Sequence, residues 1–389
     1  MASEILAVSI SDIEKASQRI SSCLEKTPVS YSPIFSERFG REVYFKWDNR
    51  FRTGAFKERG AANLLGSLSD DEAKRGVCAA SMGNHALALS WHAAKKGIPC
   101  TIVMPIYAPL VKVQSTKNTG ATVFLEGETL EDATVFAKEL VAKHGHRFVS
   151  AYDDELIIAG QGTAGLEILD QCPDVDSIVV PVGGGGLISG IATAVKAKRP
   201  DVYILGVQSE WVSWMAQAKQ EGSVAPVQRS IADGIAVKTL GKLTRPIVEQ
   251  KVDSLLTVSE EDIAKAVVDF VEVEHAVVEG AGAAGLAAIS RELLPSKFKK
   301  TVVMVGGSNI DGNLLTVLIE RDLVKRGRWI KVPIAVPDRP GQLNRVSKII
   351  AEQGANVLHV RHDRFSTRLG IVDILFLIEV RDRAHGNLV

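Results

Sequence analysis

The chain has 389 residues, with 46 basic and 46 acidic side chains, 46% hydrophobic and 24% charged residues. Balanced charge excludes a chain-wide attraction for nucleic acid, and the apolar content excludes intrinsic disorder. No run of eighteen apolar residues occurs, so no membrane-spanning helix is expected and, with no basic and then apolar leader, the expected location is the cytoplasm. Cys23, Cys78, Cys100 and Cys172 show no Cys-x-x-Cys spacing, which argues against a zinc knuckle or a disulfide framework.

In chain order, short β-branched runs at 43–47, 77–81, 100–104, 122–125, 177–182, 203–207, 254–258 and 301–305 alternate with amphipathic segments such as TLEDATVFAKELVAKHG and EEDIAKAVVDFVEVEH. That alternation indicates parallel sheets covered by helices, an α/β class. Past KRGRW (325–329) the texture changes to strand (IKVPIAV), turn (PDRPGQL), helix (LNRVSKIIAEQ) and two strands (NVLHVRHDR, VDILFLIEVR). A separate small βαββ unit is expected. His359 and His362 lie three apart on a predicted strand, so they face opposite sides, and no histidine is assigned to a metal.

Three loops carry chemistry. Gly183-Gly184-Gly185-Gly186-Leu187 follows a predicted strand and opens a helix; it reads as a phosphate cradle built from convergent amides, or as a tight turn needing fewer glycines. Lys57 stands near the first turn of a predicted helix, where the dipole lowers an amine pKa toward that of a Schiff-base or general-base lysine; a solvated surface lysine is the plainer reading. Ser81-Met82-Gly83-Asn84-His85 offers backbone N–H donors, a hydroxyl and an amide to a carboxylate, or is a cap and turn.

Taken together, TGAFKERGA (53–61), SMGNHA (81–86), IAGQGTAGLEIL (158–169), VGGGGLISG (182–190), IADGIAV (231–237), VVEGAGAAGLAA (277–288) and GGSNID (306–311) resemble the pyridoxal-phosphate enzymes of the tryptophan-synthase-like fold, and within them the threonine and serine dehydratases (threonine ammonia-lyases). The resemblance implies a large cofactor-binding domain (1–75 and 148–325) and a small mobile domain (76–147). It implies that Lys57 holds pyridoxal 5'-phosphate covalently, with Phe56 beside the ring, Asn84 at its hydroxyl, Gly183 to Leu187 at its phosphate, and Gly234 and Glu279 close by. Ser81, Met82, Gly83, Asn84 and His85 would line the site of a small β-hydroxy amino acid, which loses water and ammonia to give a 2-oxo acid. A lyase for another such substrate, for example 3-hydroxyaspartate, and a relative that binds without turnover remain the other readings.

Departures from the family pattern carry expectations of their own. Gly306 stands where a hydroxyl or thiol usually faces the pyridine nitrogen, so weaker ring anchoring is expected unless Ser308 reaches instead. Met82 replaces a serine found in relatives that racemise serine, and disfavours racemisation because a thioether transfers no proton. Gln208, Val212 and Trp214 make a poor site for a hard divalent ion. Ala55 and Leu87 replace serine and glutamine, making the surroundings more apolar. The stretch 329–389 resembles an ACT regulatory domain short of its last helix and strand, implying an amino-acid effector and a homodimer or homotetramer.

Overall fold

The computed structural model describes residues 6–212, 230–237, 240–363 and 369–389, and forms two compact units, Met1–Ile310 and Asp311–Val389. Trp214 lies outside the described residues. In the first unit the β-branched runs become β1 (Val29–Tyr31), β2 (Glu42–Trp47), β3 (Val77–Ala80), β4 (Cys100–Met104), β5 (Thr122–Leu125), β6 (Arg147–Phe148), β7 (Ser177–Pro181), β8 (Tyr203–Ser209), β9 (Ser254–Val258) and β10 (Lys300–Val305). One sheet has the order β1-β2-β10-β7-β8-β9 and the other β5-β4-β3-β6. Every pairing is parallel except β1 with β2. All five residues of β7 are buried, as a central strand covered on both faces requires. The sequence reading passes over β1 and β6, because edge strands of three and two residues show no period.

Close helix contacts set the positions of the two site-bearing helices. The helix Glu155–Gln171 meets the helix Lys57–Ser67 where a Cβ on Gly160 would lie 2.6 Å from Gly60 Cα. It meets the helix Gly186–Lys198 where a Cβ on Gly190 would lie 2.5 Å from Gly162 N. Real side chains do not fit at such separations, so the backbones touch only because these residues are glycine.

Beneath Lys57 lies a buried charge cluster. Arg59 donates to Asp48 at 2.7 and 2.8 Å, to Glu167 at 2.7 and 2.8 Å and to Thr163 at 3.0 Å. Lys46 bonds Glu167 at 2.5 Å. Burial works against the Arg59 charge, yet the Asp48 and Glu167 carboxylates more than offset it and push its pKa above the ordinary value.

The second unit opens with the helix Gly312–Lys325, then β11 (Trp329–Pro337), the helix Gln342–Glu352, β12 (Asn356–Asp363), β13 (Ile371–Glu379) and a short helix, Arg383–Gly386. Its antiparallel sheet has the order β11-β13-β12. Val372, Ile374, Phe376 and Ile378 alternate inward along β13 and pack with Ile350 of the helix, the period of a sheet with one covered face.

Removing one member of the buried charge cluster leaves its partners desolvated and unpaired. Arg59→Leu is therefore expected to cost about 3–5 kcal/mol of stability, read as a shifted denaturant midpoint; a loss below about 1 kcal/mol, the worth of a surface pair, would show the cluster to be unimportant.

Candidate active site

A cavity of about 180 Å³ opens between the segment that builds the smaller sheet and the rest of the first unit. Phe56, Lys57, Ser81, Met82, Gly83, Asn84, His85, Gly183, Gly184, Gly185, Gly186, Leu187, Gly234, Glu279 and Gly306 all line it. Residues scattered from 56 to 306 thus meet in one place. Ser308 does not join them: its hydroxyl donates to the carbonyls of Asn49 at 3.2 Å and Gly54 at 3.3 Å. The turn thus aims the Ser308 side chain at these two carbonyls.

Lys57 is the first residue of its helix, and its Nζ donates to the Ala151 carbonyl at 2.7 Å. Burial lowers its pKa to about 8, while the Glu279 carboxylate acts the other way. The direction is the one expected, but desolvation rather than the helix dipole is its cause. Phe56 sits with its ring centroid 5.0 Å from Nζ.

The glycine loop presents unpaired donors. Gly184 accepts the Thr244 hydroxyl at 2.7 Å and the Gly241 N–H at 3.2 Å, whereas the N–H groups of Gly183, Gly184 and Gly185 bond no acceptor among the described residues. The first-turn amides of Gly186 and Leu187 have no intrahelical acceptor either. Glycine is needed here sterically as well: a Cβ on Gly184 would overlap the Tyr152 ring, and Gly185 has φ +93°. Convergent free amides at a helix N-terminus suit an anion such as a phosphate, so the residues present fit the group implied by the sequence.

Glu279 is 5% exposed. It accepts the Asn84 amide at 2.8 Å and the Asn309 N–H at 3.1 Å. Burial raises its pKa to about 7, with Asp233 adding to the rise and Asn84 opposing it. His85 Nε2 donates to the Val149 carbonyl at 3.2 Å; burial and then the Lys57 charge push its pKa down to about 3, so its ring is neutral. Gly306 accepts the Phe56 N–H at 2.9 Å, and a Cβ there would stand 3.1 Å from Phe56 Cδ1.

Several lining residues escaped the sequence reading. Asn309, inside the GGSNID stretch, donates to Asn84 at 2.8 Å and to the Thr53 carbonyl at 2.7 Å. Lys112 and Asp233 pair at 2.8 Å, and Ala151, Tyr152 and Leu130 are also in the wall. Asn309 and Asp233 lie in stretches that were visible, GGSNID and IADGIAV; the others carry no local signal. Gln208 is fully buried in β8, and among the described residues no group of three His, Cys, Asp or Glu side chains is placed to hold a metal. Among the described residues, too, no helix is long and apolar enough to cross a membrane.

A lysine amine and a set of free amides facing one cavity suit an enzyme that carries a phosphorylated carbonyl cofactor. Residues 20–307 match the family model of the pyridoxal-phosphate dependent enzymes, and residues 334–386 that of the ACT domain. The chain belongs to the pyridoxal-phosphate dependent enzyme family. It is 44% identical over 382 residues to an L-threonine ammonia-lyase of Thermotoga maritima, covering 97% of this chain and 95% of that one. A second L-threonine ammonia-lyase, from Geobacter sulfurreducens, is 42% identical over 378 residues, covering 97% and 94%. Among solved structures, maize serine racemase superposes with a TM-score of 0.75 at 34% identity, covering 82% of this chain and 99% of that chain. A threonine deaminase isoform of Solanum lycopersicum gives 0.75 at 32% identity, covering 80% and 86%.

Two outcomes follow. Gly184→Ala should fold less stably and retain little cofactor, read as loss of the bound-cofactor absorbance; full retention would mean the loop has room to spare. In cofactor-free protein, acylation of Lys57 followed by peptide mapping should rise through pH about 8, because the amine is reactive only above its pKa; a midpoint near 10, the ordinary lysine range, would show that it is not desolvated.

Proposed function

We propose that the chain catalyses pyridoxal-phosphate-dependent β-elimination of L-threonine or L-serine, giving a 2-oxo acid and ammonia. The observation that carries this is a single cavity lined by both Lys57 and Gly183 to Leu187. When bound, pyridoxal phosphate supplies an electron sink that acidifies the α-proton of an amino acid. The rest falls to the protein. The free amides of Gly183 to Leu187 receive the phosphate. Lys57, whose Nζ is held by the Ala151 carbonyl, is neutral in a large fraction near pH 8 and takes the α-proton. Ser81 and the amides of the loop that ends at Asn84 hold the substrate carboxylate, beside a neutral His85 that brings no competing charge. Glu279, with a pKa near 7, is able to lie close to the ring because part of its population is uncharged.

Substrate choice rests on what the wall contains. Among the described lining residues no arginine occurs, and the one extra cation, Lys112, is already paired with Asp233 at 2.8 Å. A second carboxylate would have to break that pair, which favours threonine and serine over 3-hydroxyaspartate. Met82 lines the cavity and carries no transferable proton, which favours elimination over racemisation. The ACT unit supports control by an amino-acid effector, and the resemblance to a family whose ACT domains pair side by side supports a homo-oligomer.

The test is 2-oxo acid release from L-threonine, L-serine and 3-hydroxyaspartate, with D-serine monitored in parallel. Threonine or serine should be turned over fastest, and Lys57→Ala should lower kcat by about 10²–10⁴-fold. Preference for the dicarboxylate would overturn the substrate, rapid D-serine formation would overturn the reaction, and absence of all turnover by cofactor-loaded protein would indicate a binder.

A further inference from the structure

Besides apolar packing against Ala61, Leu64 and Leu65 and the Arg52–Trp91 ring contact, the helix Asn84–Lys95 is linked by hydrogen bonds to the segment carrying Lys57 at two places. At its first residue, Asn84 Oδ1 accepts from Asn309 Nδ2, and the same amide donates to the Thr53 carbonyl. In its third turn, His92 Nε2 donates to Glu58 Oε2 at 2.8 Å, while Glu58 Oε1 accepts the Thr53 N–H at 2.5 Å. The bonds close a ring that runs through Asn84, Asn309, Thr53, Glu58 and His92, then back along the helix. Lys57 lies on the stretch of chain between Thr53 and Glu58.

Two attachments do what one does not. Apolar packing is non-directional, whereas a second hydrogen bond eight residues on from Asn84, about 12 Å along the axis, adds a directional restraint on the helix tilt. Glu58 and His92 are 1% and 2% exposed, so water does not compete for their bond. Burial opposes ionisation of Glu58, but the His92 and Thr53 hydrogen bonds outweigh it and hold its pKa below the usual range. The ionised carboxylate therefore requires a donor at His92 Nε2.

We propose that His92, which does not line the cavity, is a positioning residue: through Glu58 it fixes the tilt of the Asn84–Lys95 helix and hence the placement of the Ser81–His85 loop against the Lys57 amine. The proposal rests on the reading of Lys57 as the cofactor lysine, and goes beyond it by assigning a role to a side chain remote from the reacting atoms.

Two variants separate the hydrogen bond from mere packing. His92→Gln keeps a donor within reach of Glu58, whereas His92→Leu fills the space without one; His92→Asn, too short to reach, replaces the leucine variant should that one fail to fold. The first readout is the rate at which cofactor-free protein takes up pyridoxal phosphate to give the absorbance of the lysine-bound form, which depends on no amino-acid substrate. The second is kcat and KM of the holoenzyme on whichever substrate proves best. The donor-less variant should lose about tenfold in uptake rate and in kcat, as misplacement of reacting groups does, with KM changed less, and His92→Gln should recover most of both. Wild-type rates in the donor-less variant, whatever its melting temperature, would overturn the proposal, as would equal losses in all variants. If no substrate is turned over, the function proposed above fails while the uptake rates still decide the role of His92.

Discussion

The helix Glu155–Gln171 touches its two neighbours backbone to backbone, at Gly160 against Gly60 and at Gly162 against Gly190. Each neighbour begins with a site element, Lys57 in one and Gly186 in the other. Because both are pressed onto the same central helix, the spacing between amine and anion cradle is set by contacts that no side chain can pad or loosen. An added methyl group at any of these glycines would push one helix end away, and the cavity that unites Lys57 with the tetraglycine loop would lose its geometry.

Burial acts on Lys57, Glu279 and the neighbouring Arg59, and partners decide the result. Among the described residues Lys57 has one neutral acceptor, the Ala151 carbonyl, so desolvation prevails and its ammonium is weakened. Glu279 has amide donors but, among the described residues, no bonded cation, and it too is pushed toward its uncharged form. Arg59, only two residues from Lys57, is more deeply buried yet held charged by Asp48 and Glu167. The chain thus places a firmly charged group two residues from an amine whose charge is weakened by burial.

The glycine run, the Lys57 segment and the Ser81–Ala86 loop were legible because each is a local pattern with a mechanical reason: amides need to converge, or a helix needs to start. The parallel architecture was legible for the same kind of reason, since β-branched runs and amphipathic segments keep their own periods. What escaped was whatever depends on distant partners. Ser308 lies in a visible motif, yet its hydroxyl turns to Asn49 and Gly54, a choice made by the turn's contact with another segment. Lys112 shows nothing by itself, and its pairing with Asp233, far away in the chain, exists only in the folded unit.

Read residue by residue, the polypeptide already specified its class, its order of elements and the local motifs that meet at one cavity, because period, capping and glycine placement are properties of neighbouring residues. The cause of the lowered Lys57 pKa, the protonation of Glu279 and the ring of bonds through His92 were settled only on folding. Desolvation and long-range hydrogen bonds come into being when remote segments exclude water together, and no stretch of sequence contains that information alone.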